Sequence, residues 1–178
     1  MSRTNYPSSL QPTESLSVSL PTGNTVLLPV CKRNFAPWLG DPGFTFGGKP
    51  LVDFGGERCF AELAILRLLH LDGWHGVWVE AYGGRHFLNA MPSAWKLVSH
   101  VKLPTEREVV LTMIKEKGGT SACFDILAWQ GAELLLAEAK RAKKDKLTEP
   151  QHRFIAGALE CGISAEQMLI VEWDYEVQ

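Results

Sequence analysis

Two short apolar runs joined by a turn decide how this chain folds: Cys123-Phe124-Asp125-Ile126-Leu127-Ala128-Trp129, then Gln130-Gly131, then Glu133-Leu134-Leu135-Leu136-Ala137-Glu138-Ala139. Each run has the length of a strand, and the Gln-Gly pair is a tight-turn signal, so a β-hairpin is expected. The second run is rich in Ala, Glu and Leu, which favour helix by intrinsic propensity. Its shortness and its place after a turn favour strand instead. Asp125 sits inside the first run, and Glu138 and Lys140 sit at the end of the second.

The flanks extend this pattern. Residues 141–147 form a basic, polar loop. Thr148 then caps a helix over about 149–161, with Pro150 in its first turn, and Cys161-Gly162 closes it. Met168-Leu169-Ile170-Val171-Glu172-Trp173 reads as the last strand. Upstream, a helix spans about 105–117. Thr105 and Glu108 form its expected capping box, and Gly118-Gly119 stops it. Residues 90–104, with Trp95, read as an irregular excursion.

Gly76 to Tyr82 reads as a strand, Gly83-Gly84 as a turn, and Arg85 to Leu88 as a partner strand. A helix over 57–71 carries Phe60, Leu63, Ala64, Ile65, Leu66, Leu68 and Leu69 at helical spacing, and Asp72-Gly73 ends it. Residues 35–56 mix Gly and Pro with Phe35, Trp38, Phe44, Phe46 and Phe54; aromatics at that density demand burial, so this is an ordered irregular segment. Residues 26–30 form a short strand or rest on the domain. Residues 1–24 are rich in Ser, Thr, Pro and Asn and are expected to be a disordered tail. The expectation is one α/β domain over 25–178 with a mixed central sheet.

The chain has 178 residues, 46% of them hydrophobic, which suffices for a single core. Its net charge of -2 gives no general affinity for nucleic acid, so any basic surface is local. Cys31, Cys59, Cys123 and Cys161 are widely spread, which argues against a zinc site or a disulfide framework. The five histidines show no ligand spacing. No run has the length of a membrane span or a signal peptide, and the expected location is the cytoplasm.

The chemistry lies in the hairpin. Residues two apart on a strand share a face, so Glu138 and Lys140 project together and the hairpin brings Asp125 beside them. Two adjacent carboxylates repel unless a cation lies between them, and oxygen donors suit Mg²⁺ or Mn²⁺. A lysine beside them can hold a phosphate. Together these groups are equipment for phosphodiester hydrolysis. The run Lys140, Arg141, Lys143, Lys144 and Lys146 follows directly. It is either a solvated loop or a grip on a phosphate backbone. Arg85 and His86 would add weakly to that surface.

Asp125, twelve intervening residues, then Glu138-Ala139-Lys140 resembles the PD-(D/E)XK nuclease superfamily. The continuation Lys146-Leu147-Thr148-Glu149-Pro150-Gln151, a helix ending near Gly162, and the strand Leu169-Ile170-Val171-Glu172-Trp173 resemble its VRR-NUC branch. The resemblance covers about 57–175 and is strongest over 118–174. It implies a restriction-endonuclease-like core and a nuclease acting on DNA or structured nucleic acid with Mg²⁺ or Mn²⁺. Asp125 and Glu138 would bind the metal, the backbone carbonyl of Ala139 would add a ligand, and Lys140 would be the catalytic lysine. Gln151 matches a glutamine near the metal centre, and Glu62 an acidic residue on the first helix that holds the metal through water. Arg141, Lys143, Lys144 and Lys146 would contact nucleic acid. A homodimer, or a partner such as a helicase, is the usual setting. One position departs: Phe124 stands where the superfamily name has proline, which relatives often lack.

Competing roles exist for several of these residues. Thr148 and Gln151 also form a capping box, which needs no catalysis. Glu57, at the helix start, competes with Glu62 for the acidic role, but Glu62 lies in the apolar stripe and needs a partner there. The same fold could serve as a non-catalytic nucleic-acid- or protein-binding module, against which the intact Asp-Glu-Lys set argues. In an accidental motif the three side chains would lie far apart.

Overall fold

The structure is a computed structural model that describes residues 5–80, 86–93 and 100–177. The expected Gly83-Gly84 turn, Arg85 and Trp95 lie outside the described residues. In chain order the elements are β1 (Glu14–Ser19), β2 (Thr25–Pro37), β3 (Val52–Phe54), β4 (Glu57–Cys59), α1 (Ala61–Leu71), β5 (His75–Glu80), β6 (His86–Leu88), α2 (Thr105–Gly118), β7 (Ile126–Gln130), β8 (Glu133–Arg141), α3 (Glu149–Glu160) and β9 (Met168–Tyr175). The protein is α/β; among the described residues its strands form one nine-stranded mixed sheet in the order β4-β3-β2-β9-β8-β7-β5-β6, with β1 paired to β2.

The β7–β8 hairpin is the centre of this sheet. Its register runs from Ile126↔Ala137 to Gln130↔Glu133, and Gly131, at φ +57°, turns the chain. α3 then carries the chain over the sheet, so β9 returns parallel to β8, with Glu138 opposite Ile170 and Lys140 opposite Glu172. β2 lies parallel on the far side of β9.

Alternation along the strands sorts the core into two layers. Leu135, Ala137 and Ala139 join Ile126, Ala128, Leu169 and Val171 with α1, through Leu63, Ile65, Leu66 and Leu69. Leu134 and Leu136 join Leu127, Met168 and Ile170 with α2 and α3, through Leu111, Ile114, Phe154 and Ile155. Glu138 and Lys140 continue the second row, and Arg141 continues the first.

Several sequence expectations need correction. Residues 5–24 are not a disordered tail. β1 pairs with β2 from Glu14↔Val30 to Ser19↔Thr25, and Leu10 and Val18 are buried. Polar composition misled there because an edge strand needs a backbone partner and few apolar contacts. β2 runs well past residue 30, since its ladder with β9 holds Lys32, Arg33 and Asn34 extended despite their polarity. α1 starts at Ala61, because Glu57–Cys59 pairs with β3. β7 starts at Ile126, one residue after Asp125, where the backbone bends. The Thr105–Glu108 capping box does not form. Pro104 is the N-cap residue, and its carbonyl accepts from Arg107 and Glu108. Among the described residues no helix is long and apolar enough to cross a membrane. All four cysteines are free thiols.

α2 and α3 meet at two glycines. A Cβ on Gly157 would lie 2.3 Å from the Ile114 carbonyl oxygen, and one on Gly118 2.5 Å from that of Arg153. Glycine in mid-helix costs stability by itself, so its presence at Gly157 reflects this close approach. Gly157→Ala should destabilise the protein by about 1–3 kcal/mol despite alanine's better helix propensity. Thermal unfolding checks this, and unchanged or higher stability would mean that the helices do not meet there.

Candidate active site

The bend at Asp125 leaves its backbone outside the β7–β8 ladder, and two carboxylates fill the gap. The Asp125 N–H donates to Glu138 Oε2 at 3.0 Å, and the Ala139 N–H donates to Asp125 Oδ2 at 3.0 Å. Each carboxylate thus holds the other's strand. The Asp125 carbonyl accepts from the Val79 N–H at 2.7 Å, which ties the bend to β5.

Glu138 is also the hub for the helix side. Its Oε1 lies 2.9 Å from Lys140 Nζ and accepts a short hydrogen bond from Gln151 Nε2. Gln151 Oε1 in turn accepts from Lys140 Nζ at 3.1 Å and from the Thr148 N–H at 2.9 Å. Gln151 therefore acts on two sides. It forms the capping-box bond at the start of α3 and orients the Glu138–Lys140 pair.

On the α1 side a cavity of about 550 Å³ opens beside Asp125 and Ala139. Glu62 and Glu80 line it, with Lys49, Arg141, Lys144 and Trp173 around its walls. Glu62 lies in the first turn of α1 and is buried, and its Oε1 is 2.6 Å from Lys49 Nζ. Its Oε2 is buried and has no hydrogen-bond partner among the described residues. The competitor Glu57 is exposed and pairs with Arg67 at 3.1 Å, away from the cavity.

Burial sets the electrostatics. It raises Asp125 well above the ordinary carboxylate range, helped by the charges of Glu138 and Glu62 and opposed by Lys49 and the Ala139 N–H. Burial raises Glu138 as well, although Lys140, the Asp125 N–H and Gln151 oppose it. Burial alone would lower the Lys49 ammonium, but Glu62, Asp125 and Glu138 outweigh it and hold Lys49 above its usual value.

Among the described residues no group of three or more His, Cys, Asp or Glu side chains is gathered closely enough to hold a metal ion. The donors nevertheless fit Mg²⁺ or Mn²⁺ in kind. They are all oxygen, Mg²⁺ needs only one or two protein carboxylates, and Glu62 Oε2 is a buried acceptor with no donor. Comparison with protein-family models, curated proteins and solved structures returned no match.

Asp125, Glu138, Lys140 and Gln151 form one hydrogen-bonded cluster, while Glu62 and Ala139 line the adjoining cavity. The basic run divides. Lys144 reaches the cavity mouth, and Arg141 lies on its wall with its guanidinium 4.7 Å from the Tyr175 ring centre. Lys143 and Lys146 are exposed and are not among the residues lining the cavity. His86 lies tilted against His100, with ring centres 4.3 Å apart. Lys49 and Glu80 are cavity residues that the sequence pattern did not single out. The only local signal was a lysine after two glycines in an aromatic segment, and nothing there linked it to Glu62.

A raised carboxyl pKa makes the unfolded state ionise first as pH rises. Without bound metal, stability should therefore fall as pH climbs from the ordinary carboxylate range through the raised value, and stay low above it. Asp125→Asn keeps an acceptor for the Ala139 N–H and removes the charge. It should raise the melting temperature of the metal-free protein by about 2–4 °C at neutral pH and by less near pH 4. A variant less stable than wild type at neutral pH would show that the Asp125 charge is already compensated.

Proposed function

We propose that the protein is a divalent-metal-dependent nuclease of the PD-(D/E)XK type, similar to the VRR-NUC branch. It hydrolyses phosphodiester bonds in DNA or structured nucleic acid. The observation that carries this is the interlocked cluster of Asp125, Glu138, Lys140 and Gln151 at the end of a β-hairpin, with Glu62 lining the cavity that Asp125 also lines. An accidental motif would leave these groups dispersed.

Asp125, Glu138 and the Ala139 carbonyl would hold Mg²⁺ or Mn²⁺, with Glu62 across the cavity. The ion supplies Lewis acidity toward a phosphoryl oxygen and lowers the pKa of water. Gln151 and Glu138 fix the Lys140 ammonium, and from there it donates to a non-bridging phosphate oxygen and takes up developing negative charge. Lys144, at the cavity mouth, offers a charge to a neighbouring phosphate, and Lys143 and Lys146 extend that contact over the loop.

A non-catalytic binding module on the same fold is the second reading. It draws on the absence of a three-carboxylate cluster among the described residues and on the engagement of both Glu138 oxygens. Cleavage of single-stranded, duplex and branched DNA and of RNA, with Mg²⁺ or Mn²⁺, separates the two. Wild-type protein should cut in a metal-dependent way, and Lys140→Ala and Asp125→Ala should each lose at least about 100-fold in rate. No cutting of any substrate, with no metal uptake by calorimetry, would leave the binding module.

A further inference from the structure

We infer that Lys49 is a built-in counter-ion of the acidic cavity, a tethered cation that stabilises the metal-free protein and weakens its affinity for a divalent ion. This rests on the metal-site reading above and adds a residue that limits how tightly the site binds its metal.

Lys49 is not an ordinary surface lysine. It belongs to the strap between β2 and β3, which is folded by its own turn: the Lys49 N–H donates to the Thr45 carbonyl and the Gly48 N–H to Thr45 Oγ1, both at 2.9 Å. Phe46, Gly47 and Gly48 take φ values of +49°, +82° and +95°, so the tight course of the strap depends on its two glycines. The Phe46 ring anchors the strap, stacking on Phe60 at 5.8 Å and meeting Trp78 edge-on at 6.4 Å. The Lys49 ammonium lies 5.3 Å from the centres of both the Phe60 and Trp78 rings. Packing therefore aims the charge inward.

Its target is the set of groups a divalent ion would use. Nζ is 2.6 Å from Glu62 Oε1, and the charges of Glu62, Asp125 and Glu138 all act on it. A positive charge held there offsets the repulsion among Glu62, Asp125 and Glu138 when no metal is bound. The same charge opposes entry of a second cation, because like charges a few ångströms apart and partly shielded from solvent repel. Metal uptake must push the ammonium aside or tolerate it. Lys49 thus trades metal affinity for stability of the empty site.

The test is Lys49→Met, which keeps the apolar stem against Phe60 and Trp78 and removes the charge. Lys49→Arg retains the charge as a control. Mn²⁺ binding is measured by calorimetry and melting temperature with and without Mn²⁺, on the full chain. The expected result is a lower melting temperature for metal-free Lys49→Met, about tenfold tighter Mn²⁺ binding, and a larger Mn²⁺-induced rise in melting temperature. Lys49→Arg should stay near wild type. A lysine that merely supported the fold would give the opposite sign, with weaker Mn²⁺ binding on its removal. Equal or weaker binding by a folded Lys49→Met would overturn the counter-ion role while leaving the metal site intact. Absence of Mn²⁺ uptake by wild type and variant alike would overturn the metal reading itself, and this inference with it.

Discussion

The structure turns on the exchange of hydrogen bonds between Asp125 and Glu138. Each carboxylate accepts a backbone N–H from the other's segment, so the hairpin and the acidic cluster are one object. Burying two carboxylates side by side is costly, and removing one partner would leave the other's donors unsatisfied. The bend at Asp125 releases an N–H from the ladder, and the Glu138 side chain captures it. Local geometry at the hairpin end thereby sets the positions of the remaining site residues.

Those residues come from both faces of the sheet. Alternation along β8 sends Glu138 and Lys140 toward α3, where Gln151 waits at the first turn, and turns Ala139 and Arg141 toward α1 and the cavity. α1 contributes Glu62 and the β2–β3 strap contributes Lys49. A sheet strand is the one element that can address two layers at once, since its side chains alternate between them. The site therefore sits where the two cores separate.

Charge balance follows the same division. Lys140 answers Glu138 on the helix side, and Lys49 answers Glu62 on the cavity side. Asp125 lies between them with a backbone donor but, among the described residues, no cation in direct contact. It lines the cavity and also touches Glu138.

Residues 123–141 and the helix after them were legible in the chain itself. A Gln-Gly turn between two short apolar runs, Pro150 in a first turn and a Thr148–Gln151 cap are local signals whose physics acts within a few residues. The adjacency of Asp125 to Glu138 followed from the hairpin, and the pairing of Glu138 with Lys140 from the period of a strand. β1, the length of β2 and the short β3–β4 pair were not legible, because backbone pairing with distant partners formed them against a polar or glycine-rich composition. Lys49 was hidden for the same reason. Its partner Glu62 is on another element, and only the aromatic anchoring of the strap brings the two charges together. The sequence determined the hairpin, the spacing of its charged groups and the cap on α3 through local geometry. Tertiary structure alone decided which cation faces which carboxylate, because that depends on how separate elements pack.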